Sequence, residues 1–110
     1  MSKLLIDEHP LTVLPGLAKK MGLNEAVVLQ QLHYWTVKKQ PDANGEVWVY
    51  NTLDAWLEQF PWLSQGTLKR VMQRLLKQGV IEVRQPGGKN RTNHYRVVYD
   101  RLAADEMGAN

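Results

Sequence analysis

The chain has 110 residues, 44% of them hydrophobic, and 14 Lys and Arg against 11 Asp and Glu give a formal net charge of +3. That length fits one domain, or one domain with short tails. No run approaches the roughly 20 apolar residues of a membrane span, and the lack of cysteine excludes a disulfide framework, a thiolate nucleophile and a cysteine-based zinc site.

Residues 1–8 (MSKLLIDE) hold one lysine, a three-residue apolar run and two acids, which is not the layout of a signal peptide. A cytoplasmic location is the expectation. Leu4, Leu5 and Ile6 fit a brief strand or an ordered arm, and Pro10 keeps His9 out of helical geometry. A short helix is predicted from about Leu14, with Pro15 in a first turn where its missing N–H costs little, to a stop at Gly22. Asn24 is the expected cap of a second helix that runs to Lys39. Glu25 lies in its first turn and Lys38 and Lys39 in its last, as the helix dipole favours. Val28, Leu29, Leu32 and Trp35 form its predicted buried stripe, with Ala26, Val27 and Tyr34 partly off it. Such a wide apolar surface fits a central core helix or one that also meets another chain. His33 on that helix is expected to pack or hydrogen-bond rather than to serve chemistry.

Residues 40–46 (QPDANGE) break the pattern, with an Asn-Gly turn signal. Residues 47–50 (VWVY) read as a strand. Asn51 or Thr52 then caps a third helix, in which Leu53, Trp56, Leu57 and Phe60 share one face. Pro61 ends it, and Trp62 and Leu63 make an apolar corner. Ser64 is the predicted N-cap of a fourth helix, and Gly79 sits where a left-handed C-terminal cap is expected. Leu68, Val71, Met72, Leu75 and Leu76 make its apolar stripe, while Gly66, Arg70, Gln73, Arg74 and Lys77 fall on the opposite side. Residues 80–85 and 94–99 then read as two strands around a Gly-rich basic loop over residues 86–93.

The order helix, strand, helix, basic helix, strand, loop, strand spells a fold that is mainly α with a small antiparallel sheet (α+β), a winged helix-turn-helix. The strand at residues 47–50 is expected to pair with the base of the wing. Residues 1–102 form the domain, and residues 103–110 are a tail or the start of a linker.

No catalytic set is found, so binding rather than catalysis is expected, with no cofactor. His9, His33 and His94 show no metal-like spacing, and the wing glycines are not a phosphate-binding loop. Charge is unevenly placed. Residues 64–96 hold eight cations against Glu82 alone, a net +7, between flanks of −2 each; that is the electrostatic footprint of polyanion binding. The expected partner is double-stranded DNA. Ser64, Gln65, Gly66 and Thr67 lie at the tip of the basic helix, with Arg70, Gln73 and Arg74 along its exposed face. Arg and Gln suit guanine and adenine edges in the major groove. Lys69 and Lys77 suit phosphates, and Gly66 lets a backbone come close. Lys89, Asn90 and Arg91 at the wing tip suit the sugar-phosphate backbone or the minor groove, and Arg84 and Arg96 would extend the basic surface. The plain alternatives are a solvated surface helix and an ordinary loop.

Residues 5–35 (LIDEHPLTVLPGLAKKMGLNEAVVLQQLHYW), 45–52 (GEVWVYNT) and 56–70 (WLEQFPWLSQGTLKR) carry a resemblance. They resemble the N-terminal domain of phage and mobile-element replication proteins, the replisome organisers related to DnaD-type primosome components and plasmid initiators. It covers residues 4 to about 102, and residues 23–35 and 59–70 are its most specific pieces. The resemblance implies a winged helix that binds origin DNA, often as a homodimer through its N-terminal helices. It also implies a further C-terminal region that contacts other replication proteins. The chain ends at Asn110 before such a region, which fits an isolated DNA-binding domain or a short stand-alone relative. Two competing readings remain open: a transcriptional regulator of a mobile element, and a winged-helix interaction module that uses the Trp- and Tyr-rich residues 26–35.

Overall fold

The structure, a computed structural model, describes residues 10–85 and 92–102. Helix α1 is Pro15–Met21, with Leu14 extended before it and Pro15 at its first position. Gly22 both closes α1 and opens α2, Leu23–Thr36. Its amide donates to Ala18 O at 2.8 Å, and its carbonyl accepts from Ala26 N at 3.0 Å. It does so at φ +104°, a conformation L side chains avoid, and a Cβ there would collide with the Glu25 carboxylate. Asn24 is therefore not the cap of α2. It lies inside the first turn, where its Oδ1 accepts the Trp62 indole N–H at 3.0 Å.

Residues 25–29 of α2 are all buried, and so is Leu32. Such burial fits a central core helix. In its last turn Thr36 is buried, while Trp35, about 100° round from it, is 37% exposed rather than in the buried stripe. The Trp35 indole N–H donates to Gln59 Oε1 at 2.9 Å. Lys38 and Lys39 fall outside the helix. Their amides donate to Trp35 O and Thr36 O, a tighter i to i−3 turn than the α-helix allows.

Asp42 Oδ1 gathers the amides of Asn44 and Glu46, both at 2.9 Å, and turns the chain into β1, Val49–Asn51. Thr52 caps α3, Leu53–Gln59, by accepting from Ala55 N at 3.1 Å. Residues 60–64 form a turn into α4, Gln65–Lys77. At the far end of α4, Gly79 at φ +76° donates to Leu76 O at 3.0 Å and Val80 N donates to Leu75 O at 3.2 Å. These are the two crossed bonds of a Schellman ending, with Val80 and Leu75 both fully buried against each other's turn.

The chain continues into β2, Ile81–Arg84, and returns as β3, Asn93–Val97. The sheet is antiparallel in the order β1-β3-β2, with Val49 and Val83 both opposite Tyr95. Val49, Ile81, Tyr95 and Val97 face the helices. The core they close contains Trp56, Phe60, Leu32, Leu68, Leu75, Val28 and Val80. Residues 99–102 are helical. The helix pair α3–α4 with the β2–β3 hairpin makes a winged helix-turn-helix, mainly α with a small three-stranded antiparallel sheet.

Candidate nucleic-acid interface

Helix α4 is seated by one face and free on the other. Leu68, Val71, Met72 and Leu75 are buried. Leu76, placed in the same stripe by spacing alone, is 41% exposed; at about 100° per residue it lies roughly 80° round from Leu68, at the stripe's edge. Gln65, Gly66, Lys69, Arg70, Gln73, Arg74 and Lys77 are exposed, and Thr67 is half-buried. Ser64 caps the helix as its residue type predicts: its Oγ accepts the Thr67 amide at 3.1 Å and its hydroxyl donates to Thr67 Oγ1 at 2.9 Å. Arg70 Nη2 donates to the same Thr67 oxygen at 3.1 Å. The Ser64–Thr67–Arg70 chain thus lays the guanidinium back along the helix toward its N-terminus. Among the described residues no carboxylate comes within 4.0 Å of Lys69, Arg70 or Lys77.

Arg74 differs. It is 68% exposed at its side chain, yet its Nη1 lies 3.2 Å from Oε2 of Glu25, a carboxylate only 5% exposed. Expected as a free cation on the outward face, it instead ties α4 to the start of α2. Arg84 and Arg96 do not extend the basic surface freely either. Arg96 pairs with Glu82 and lies 3.8 Å from Glu46. Arg84 lies 4.0 Å from Glu46 and stacks 4.1 Å over the Trp48 ring. Lys89, Asn90 and Arg91 lie outside the described residues.

Gly66 gives a clean test. A Cβ built there meets only Arg70 Nη1 at 4.0 Å, so the fold does not require glycine. Gly66→Ala is expected to leave stability unchanged or raise it by up to about 1 kcal/mol, as read by urea denaturation. If the helix tip approaches DNA closely, the same variant binds duplex more weakly; undiminished binding would show that the glycine is only permissive.

His33 takes the packing role expected of it: its Nδ1 lies 2.7 Å from the Tyr99 hydroxyl. Burial pushes the Tyr99 phenol above its usual pKa, and a hydrogen bond with Thr36 pulls the other way. Among the described residues no three His, Asp or Glu side chains cluster as a metal site would need, and no helix is long and apolar enough to cross a membrane.

A helix anchored by one stripe, with cations and an amide on the other, beside a hairpin, defines a domain of the winged helix-turn-helix class. No protein-family model matches the chain, and no curated protein matches it in sequence. A solved structure described as "N-Terminal domain of DNA binding protein" superposes on 100% of this chain and 93% of its own, with a TM-score of 0.61 at 13% identity. At that identity the likeness shows a shared fold. Glu25 as the anchor of Arg74 is the site residue the sequence reading missed. The two lie 49 positions apart, and no local pattern joins them.

Proposed function

We propose that the protein binds double-stranded DNA sequence-specifically, with α4 in the major groove and the wing beside it, in replication initiation of a phage, plasmid or other mobile element. The observation that carries the DNA reading is the α4 face: Lys69, Arg70, Gln73 and Lys77 are exposed together, and the three cations have no described carboxylate partner. The DNA-binding protein that shares the fold supports it. The replication role is supported by the resemblance of residues 23–35 and 59–70 to replisome organisers. A cytoplasmic binding protein rather than an enzyme, paired as a homodimer through α1 and α2, completes the reading. Exposed Val13, Leu14 and Leu23 supply apolar surface for that pairing.

The test is equilibrium binding to an origin-like repeat and to a random duplex across a salt series. The repeat is expected to bind more tightly, and affinity for both to fall as salt rises. Lys77→Ala is expected to flatten the log–log salt slope by about one unit on either DNA. Affinity that ignores salt, or a slope unaltered by Lys77→Ala and Lys69→Ala alike, counts against α4 as the contact.

A further inference from the structure

The duplex-reading face uses none of the aromatic side chains at the far end of α2. There Tyr34 and Trp35 meet edge to face with centroids 5.1 Å apart, both more than a third exposed. In the turn that follows, Lys38 leans back until its Nζ is 4.8 Å from the Tyr34 ring. Lys39 reaches forward to 3.7 Å from the Tyr50 ring. Tyr50, 57% exposed, lies 4.3 Å from the His94 ring. The row continues across the sheet, since Tyr50 is opposite His94 and His94 is opposite Arg84. Rings and cations therefore make a band in two groups, one at the end of α2 and one on the outer face of the sheet. The two are joined in the chain at Lys38 and Lys39, and Arg84 at the far end is held by Glu46. Glu25, which holds α4, and Tyr34 are nine positions apart in α2, about 14 Å along a helix axis. The band is a separate surface from the α4 face.

The chemistry of this band selects its occupant. Exposed rings interleaved with cations hold single strands, because every unpaired base offers a face to stack on and every linkage a phosphate. Bases inside a duplex offer no free faces. Among the described residues no carboxylate lies within 4.0 Å of Lys38 or Lys39, so both ammonium groups are available to phosphates. Protein interfaces also favour Tyr and Trp but are depleted in lysine, and here two lysines lie over the rings, which favours a polyanion. The contact of Lys39 with Tyr50 is an exposed cation–π pair, weaker than a base stacked on the same ring. A base that displaces the ammonium leaves it beside the adjoining phosphate.

We propose that this band binds a segment of single-stranded DNA, with bases stacked on Tyr50 and Tyr34 and phosphates against Lys39 and Lys38. The choice of DNA over RNA rests on the duplex reading of α4; the stacking argument does not.

The experiment titrates the full chain into a labelled DNA single strand of about 15 nucleotides, within the span of one or two such sites. The matching RNA strand and the DNA duplex are titrated in parallel. The parent is expected to bind the DNA strand with quenched tryptophan fluorescence. Tyr50→Ala and Lys39→Ala are each expected to weaken single-strand binding by about fivefold or more and to leave duplex affinity unaltered. Arg70→Ala is expected to do the reverse. Far-UV circular dichroism confirms that each variant is folded, and Lys39→Ala removes no core contact. Single-strand binding that is absent in the parent, or equal in Tyr50→Ala, Tyr34→Ala and Lys39→Ala, overturns the proposal. So does tighter binding of RNA than DNA, or a concentration-dependent self-association abolished by Tyr34→Ala. A chain that holds single strands through Tyr50 but binds no duplex keeps this inference and removes the function proposed above.

Discussion

Arg74→Ala is expected to destabilise the fold by about 3 kcal/mol, while Glu25→Gln costs less than about 1 kcal/mol. The asymmetry comes from where each partner sits. Glu25 is buried and Arg74 is mostly in water. Removing the arginine leaves a carboxylate only 5% exposed without its cation, with the start of α2 to stabilise it through the helix dipole. Removing the acid leaves a guanidinium that simply rehydrates, and Gln keeps the packing. Adding Glu25→Gln to Arg74→Ala should therefore restore part of the lost stability. Urea denaturation of the four proteins measures this as a double-mutant cycle. Equal costs for the two single changes would refute the account. The result also bears on binding studies. Weaker DNA binding by Arg74→Ala cannot be assigned to a base contact, because the same change loosens α4 from α2.

Arg70 is the residue to use for that purpose. Arg70→Ala is expected to cost about 1–3 kcal/mol of specific duplex affinity, roughly 5- to 150-fold, if its fork meets a guanine edge. The change should cost little stability, since the side chain is exposed and its described hydrogen bond is to Thr67 on its own helix. The discriminating measurement compares the preferred repeat with a random duplex. Loss of a base contact narrows the gap between the two, whereas loss of a phosphate contact lowers both together. A variant that binds both duplexes as tightly as the parent would remove Arg70, and with it the centre of the α4 face, from the interface.

What local rules govern was readable in the chain. Ser64 and Thr52 cap because a hydroxyl before a helix finds an unpaired amide. Gly79 ends α4 because its conformation suits no other residue well. The third strand was expected against the wing and is found opposite Tyr95. What depends on contacts between distant elements was not readable. Trp35 keeps the spacing of a core residue, but in the last turn of α2 it is Thr36 that faces inward. Lys38 and Lys39 look like the end of a helix, yet they turn onto Tyr34 and Tyr50. Arg74 has the periodicity of an outward cation, and only the crossing of α2 and α4 brings Glu25 beside it. Asn24 has the chemistry of a cap, but Gly22 takes that position and frees its amide oxygen for Trp62.

The crossed amides at Gly79, with Leu75 and Val80 sealed in the interior on either side, leave no slack between α4 and the first strand of the hairpin. Helix α4 and the start of β2 are thus joined at one fixed elbow. If a duplex spans both as proposed above, it has to do the bending itself, and its stiffness then enters the selectivity even at positions no side chain reaches.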